Sequence, residues 1–329
     1  MSSNKDKYPT IFLSATDAEI PADFVNDFSK YSYIGKMIGG GDGELMSFRD
    51  NCLGRNVAIK RLKLDSNKDA SERRRLLREA RITAQLGHPN TVPVYELGRD
   101  DQGNLYFAMK KIEGEDLFRI LSRIARKDQE TIKQYHLDEL LEILIQAANA
   151  VAYAHAHGVI HRDLKPENIL VGMYGAVYVM DWGIAKVWGM PNETFVEDFG
   201  PNNEIFQRLT MSGKRPGTPL YMSPEQVRNQ LIDERSDIFS MGVVLYELLA
   251  LREPFRGRNV DETFDRILNH DPPPPSSIAK NHRFPRKMDE ICAKAFAKDP
   301  VKRYQNMNDM IRDIKEVRSE ALGQSSPSP

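Results

Sequence analysis

The sequence predicts an α+β protein of two unequal parts, a small antiparallel-sheet unit carrying one main helix and then a larger helical unit. Three observations lead there. Between Tyr31 and about Met109, the short apolar runs VAIK (57–60) and LYFAM (105–109) are bounded by Gly54 and by Asp101-Gln102-Gly103, as antiparallel strands joined by turns require. One stretch within that region has helical spacing instead. Beyond Ile112 the apolar residues recur at helical spacing.

Taken in order, residues 1–30 hold no sustained period and include Pro9 and Pro21, so they form an N-terminal extension. Asp69 and Glu72 have capping-box spacing, and Leu76, Leu77, Ala80 and Ala84 then recur as one helix face until Gly87 and Pro89 stop it. Leu140, Leu141, Leu144, Ile145, Ala148, Val151 and Ala152 make one face of a long helix closed by Gly158. The apolar stretch from Phe239 to Leu251 is interrupted by Ser240 and Glu247. It is shorter than the roughly 20 residues a bilayer needs, and reads as a buried helix. Met288, Ile291, Cys292, Ala295 and Phe296 make a later helix, closed by Asp299-Pro300, and Met307, Met310, Ile311, Ile314 and Val317 make the last. Residues 318–329 end in a Gln/Ser/Pro run and read as a flexible tail.

Composition narrows the function. The 329 residues carry 46 Lys and Arg against 47 Asp and Glu, a formal charge of −1. Attachment to nucleic acid or anionic lipid by bulk charge needs a basic excess that is absent here. Cys52 and Cys292 are the two cysteines, too few for a disulfide framework, and the expected setting is a reducing, cytoplasmic one. No secretory signal or membrane segment is evident, since Ile11-Phe12-Leu13 is too short for a signal core.

The chemistry concentrates in a few segments. His161-Arg162-Asp163-Leu164-Lys165-Pro166-Glu167-Asn168 follows the long helix and precedes the strand-like Ile169-Leu170-Val171. Asp181-Trp182-Gly183 follows a second short strand, Val177 to Met180. Upstream stands Val57-Ala58-Ile59-Lys60; downstream stand Gly217-Thr218-Pro219 and Ser223-Pro224-Glu225. In this order the set resembles the protein-kinase signature. Lys165 and the Thr218-Pro219 pair are similar to serine/threonine kinases. HPNTVPVYELG and GTPLYMSPEQ are similar to bacterial, Hanks-type members of that family.

The resemblance implies a bilobal protein-kinase fold over 31–317, with an N-lobe of about 31–111 and a C-lobe of about 112–317. It implies ATP and Mg2+ as cofactors. Protein substrates bearing Ser or Thr would be the partners, the chain itself in trans among them. Phosphoryl transfer passes through a loose transition state, so such a protein mainly positions reactants and neutralises phosphate charge. By the resemblance, Lys60 holds the phosphates and is oriented by Glu79. Asp163 orients the substrate hydroxyl, Lys165 steadies the γ-phosphate, and Asn168 and Asp181 supply oxygen to magnesium. Leu45, Ala58 and Leu170 form the walls of the base pocket, Met109 is the gatekeeper, and Lys110 to Ile112 form the hinge. Asp237 braces the catalytic loop, Glu225 pairs with Arg303, and Arg162 meets an activation-segment phosphate.

There are departures. The phosphate-covering loop reads Met37-Ile38-Gly39-Gly40-Gly41-Asp42-Gly43-Glu44-Leu45. Counted back from Lys60, its second and third glycines are Gly40 and Gly43, with Ile38 at the first; a shifted register uses Gly39 and Gly41 and puts Glu44 third. Either register leaves an acid near the tip. Like charges about 4 Å apart repel by roughly 1 kcal/mol in water, a weakening rather than a loss of binding. Trp182 replaces the usual phenylalanine beside Asp181. The irregular loop motivates a pseudokinase scaffold as the alternative, and a small-molecule phosphotransferase is a weaker rival.

Beside these stand plainer assignments. His155, His157 and His161 look like a metal cluster but sit at a helix end, and the resemblance implies that His161 is a packing residue rather than a zinc ligand. Arg73, Arg74 and Arg75 read as a solvated helix face, and Cys292 as core. The segment between Gly183 and Ser223 carries a polar insertion around 190–207, with Thr210 and Ser212 as its phosphosites and Thr218 as the other candidate. Peptide mapping of active protein is expected to find phosphate at Thr210 or Ser212; a phosphate-free segment would refute that assignment.

Overall fold

Strand alternation in the first part sorts side chains onto two faces. Val57 and Ile59 pack with Tyr106 and Ala108 on one side, whereas Ala58 and Leu62 pack with Leu105, Phe107 and Met109 on the other. In the computed structural model, which describes residues 26–37, 43–62, 70–187, 218–279 and 284–323, these runs lie in one five-stranded antiparallel sheet. Its strands are β1 (Tyr31–Lys36), β2 (Gly43–Asp50), β3 (Arg55–Leu62), β4 (Val94–Arg99) and β5 (Leu105–Lys110), in the order β1-β2-β3-β5-β4. Helix α1 (Ala70–Gln85) covers the inner face through Leu76, Leu77 and Ala80. Ala84 is exposed, against expectation, and Thr83 takes the buried place on that turn. Asp69, Gly40, Thr210 and Ser212 lie outside the described residues.

The outer face is closed by the segment just before β1. Phe28 packs edge-on to Tyr31, Phe48 and Tyr106. The Asn26 amide donates to the Tyr106 hydroxyl (2.5 Å) and to Glu96 (3.1 Å), and accepts from the Arg99 N–H (3.1 Å). Lys30 pairs with Glu96. Residues 26–30, an extension by their lack of period, are therefore stitched onto β4 and β5.

The second part begins with β6 (Gly114–Asp116) and helices α2 (Leu117–Ala125), α3 (Gln129–Gln134) and α4 (Leu137–Ala156). Short strands follow: β7 (Val159–Ile160), β8 (Ile169–Gly172), β9 (Val177–Val179) and β10 (Lys186–Val187), in small sheets ordered β6-β8-β9 and β10-β7. After them come α5 (Pro224–Val227), α6 (Glu234–Ala250), α7 (Val260–Asn269), α8 (Pro275–Ile278), α9 (Lys287–Ala295) and α10 (Met307–Gly323). Every residue of α6 from Ser236 to Ala250 is buried, so this helix is the axis of the C-lobe. Helices α4, α9 and α10 share its core cluster, and Cys292 is fully buried within it.

Helix α10 corrects the expected tail, because it continues through 318–323. Arg318 supplies the reason. Its guanidinium donates to both Asp138 oxygens (2.5 and 2.9 Å) and to Glu142, which ties the last turns to α4. Among the described residues, no helix is long and apolar enough to cross a membrane.

Gly98 is the position that admits Asn26, since a Cβ there would fall 1.9 Å from the Asn26 amide nitrogen. Gly98→Ala is expected to expel the amide and cost about 1–3 kcal/mol, read as a drop of several degrees in thermal denaturation. An unchanged melting temperature would refute the stitch.

Candidate active site

Register in the sheet decides where Lys60 points. It lies opposite Phe107 of β5 and Leu45 of β2, with the Ala58–Met109 pair two residues away on the same face. Glu79 projects from α1 toward it, and the Lys60 Nζ donates to both carboxylate oxygens at 2.6 and 2.7 Å. Burial works against the Lys60 charge, but the carboxylates of Glu79 and Asp181 outweigh it and hold the ammonium above its ordinary pKa. Burial pushes the Glu79 carboxyl upward, and the repulsion from Asp181 adds to that against the pull of Lys60.

Asp181 follows β9 in a left-handed conformation (φ 63°), unusual for a residue other than glycine. It keeps an accessible edge. Burial raises its pKa, yet Lys60, Lys165 and His161 prevail and keep it below the ordinary value, ionised at neutral pH. Gly183 sits against both acids, since a Cβ there would lie 3.3 Å from an oxygen of Asp181 and 3.3 Å from one of Glu79. A glycine here thus leaves room for the two carboxylates to share one cationic neighbourhood.

The 161–168 loop is built on α6. Buried Asp237 accepts the N–H groups of His161 and Arg162, both at 2.8 Å, and contacts the His155 Nε2 at 2.8 Å. Burial would raise the Asp237 carboxyl; these donors overcome it and lower it. Arg162 is left-handed (φ 71°), and its carbonyl accepts from the Gln226 side chain at 2.8 Å, so both sides of the strained residue are held. His161 bonds the Met180 carbonyl through Nε2 (2.9 Å), and its ring rests on Trp182 with centroids 4.5 Å apart.

His161 Nδ1 accepts the Asp163 N–H (3.2 Å), so one ring links the loop to the strand that leads to Asp181. The Asp163 carboxylate accepts from Lys165 Nζ at 2.6 Å, and Asn168 Nδ2 donates to the Asp163 carbonyl (2.8 Å) and carboxylate (3.2 Å). Burial opposes the Lys165 charge, and Asp163 outweighs it and raises the pKa. Trp182 is fully buried, and its indole N–H points to the Val179 carbonyl at 3.4 Å.

Apolar walls gather beside these charges. Ala58 and Met109 belong to one buried cluster, with Leu45, Ile112 and Leu170 packed against it. Lys110 ends β5. Gly43 opens β2 opposite Leu62; Gly40 is outside the described residues. Glu44, the third position of the shifted register, is bound by Arg61 (3.2 Å), which also pairs with Asp100 (2.9 Å); Asp42, the other acid of the loop, is outside the described residues. Deeper in the C-lobe, Arg303 binds Glu225 through two bonds (2.6 and 2.8 Å), and Ser236 donates to the same carboxylate at 2.5 Å.

Some contributors are not visible in the sequence. Arg75 reads as part of a solvated face, but it is half-buried and its charge reaches Lys60, Glu79 and Asp181. Its place one turn before Glu79 is the available signal. His155 and His157 bond Asp237 and the Tyr153 carbonyl. Tyr221 lies within the GTPLYMSPEQ run without being singled out by it, and Glu247 lies outside every motif.

A chain with this two-part architecture and this meeting of Lys60, Glu79 and Asp181 belongs to the protein-kinase family, whose profile, described as Protein kinase domain, matches residues 31–314. Bacterial proteins are among its relatives. The chain is 36% identical over 301 residues to Serine/threonine-protein kinase PknD of Protochlamydia amoebophila, covering 89% of this chain and 30% of that protein. The PknD proteins of Chlamydia felis (35% over 292 residues) and Chlamydia caviae (34% over 293) each align with 87% of this chain and 31% of their own length. The chain spans about three tenths of the length of these curated relatives.

Glu247 accepts the Tyr221 hydroxyl at 2.5 Å inside the C-lobe. Burial, with repulsion from Glu253, pushes its carboxyl up to about 8. Above the ordinary value of 4.5 the unfolded chain has lost this proton while the folded chain keeps it, so stability falls as pH rises toward about 8. Glu247→Gln keeps an acceptor for Tyr221 and is expected to shrink the loss of melting temperature between about pH 5 and about pH 8. A loss equal to that of the wild type would refute the assignment.

Proposed function

We propose that the chain is a protein serine/threonine kinase that transfers the γ-phosphoryl group of ATP to Ser or Thr hydroxyls of protein substrates. The observation that carries this is the Lys60–Glu79 pair set beside Asp181, with Asp163, Lys165 and Asn168 bonded together in the adjoining loop.

The donor set fits the reactants. Asp181 and Asn168 offer the hard oxygen ligands that magnesium prefers, and Lys60 and Lys165 offer cations for phosphate. The apolar cluster of Leu45, Ala58, Met109 and Leu170 suits a purine base, with the backbone of Lys110 to Ile112 as its hydrogen-bonding edge and Gly40 and Gly43 in the covering loop. Bound magnesium supplies neutralisation of phosphate charge. Glu79 holds the Lys60 ammonium in place. Asp163, fixed by Lys165 and Asn168, orients the substrate hydroxyl and takes its proton as the new O–P bond forms and the bond to the leaving ADP breaks. The relatives are named as serine/threonine kinases, and Lys165 supports the same class here. The complete set of charged groups disfavours the pseudokinase scaffold.

Autophosphorylation in trans at Thr210, Ser212 or Thr218, received by Arg162, belongs to the same proposal. Transfer from labelled ATP with magnesium to the protein itself and to a generic basic protein is the test. Asp163→Asn and Asp181→Asn are each expected to lower it by about 10²-fold or more. A folded wild type without transfer, even after phosphorylation by another kinase, would favour the scaffold.

A further inference from the structure

Strand β9 is the joint between the two lobes. Its Val179 N–H donates to the Asn90 carbonyl (2.8 Å), the Asn90 side chain donates to the Val177 carbonyl (2.9 Å), and Thr91 bridges to Val179. Tyr178, between those two valines, is 7% exposed and packs in the N-lobe cluster with Ala58, Leu76, Leu77 and Met109. Its hydroxyl accepts from the Lys110 Nζ at 2.6 Å.

Lys110 is otherwise exposed, and a lysine side chain extended into solvent keeps its rotamer freedom. Here its ammonium is held on a mostly buried hydroxyl through a charge-assisted bond. The two ends of that bond have different neighbours. Lys110 closes β5, directly after Met109, and is the first of the residues whose backbone is proposed to meet the base; Tyr178 stands three positions before Asp181.

We infer that Lys110 and Tyr178 form an inter-lobe latch that sets the base-binding strand against the strand carrying Asp181. Both are then positioning residues for the magnesium–nucleotide complex. The inference rests on the proposed kinase function. It differs from a plain stabilising contact in one respect: the latch matters most when base and metal are bound together.

The test is titration with the fluorescent nucleotide mant-ATP, with and without magnesium, alongside thermal denaturation to show that each variant folds. Tyr178→Phe, which keeps the ring, and Lys110→Met are each expected to reduce the magnesium-dependent gain in affinity by about threefold to tenfold. The double variant should lose no more than either single one, because one bond is removed only once. Lys110→Arg, which keeps a donor, should stay within about twofold of wild type. Losses that multiply in the double variant, or that are equal with and without magnesium, would overturn the latch while leaving the kinase reading intact. A wild type that binds no mant-ATP would overturn both.

Discussion

Asp237 is a carboxylate with no access to water, placed near the start of a helix that is buried all round. Such a charge is costly unless it is paired and fully hydrogen-bonded. The partners that satisfy it are the N–H groups of His161 and Arg162 and the ring of His155. That requirement holds the loop after β7 in one shape, including the left-handed Arg162. From His161 the constraint passes to the Met180 carbonyl and the Asp163 N–H. A single buried acid thus places both the loop bearing Asp163 and the approach to Asp181 relative to the C-lobe core.

The charges above that core are balanced rather than merely close. Lys60 serves Glu79 and Asp181 together, while Arg75 adds positive charge from the same helix as Glu79. Glu79 and Asp181 repel one another, and the lysine between them lowers that repulsion. The Lys60–Glu79 pair also ties α1 to β3 across the inner face of the sheet. Trp182 contributes differently: its ring fills the space under the His161 ring, and its indole N–H meets the Val179 carbonyl, a bond no phenylalanine could make.

Much of this is legible in the chain itself. Apolar runs and periodicity place two of the sheet's five strands, β3 and β5, together with α1, α4, α6, α9 and α10, and put Cys292 in the core. Burial of apolar faces is the largest driving force for folding, and it repeats at 2.0 or 3.6 residues. Motif order brings out the family, since the residues proposed to meet phosphate stand in short local segments. Asp237, Glu225 and Arg303 are assigned only through the resemblance, as their partners lie about 75 positions away in sequence.

What the sequence determined by itself was therefore local: which residues form each element, which face of it is apolar, and which chemistry the short motifs carry. The tertiary structure alone decided the meetings between elements. Asn26 fits over Gly98, Arg318 extends α10 past residue 317, the Arg75 charge reaches Lys60, and Lys110 reaches Tyr178. Each depends on strand register or helix rotation at long sequence separation, and a polar side chain carries no periodic signal that says which distant partner will satisfy it.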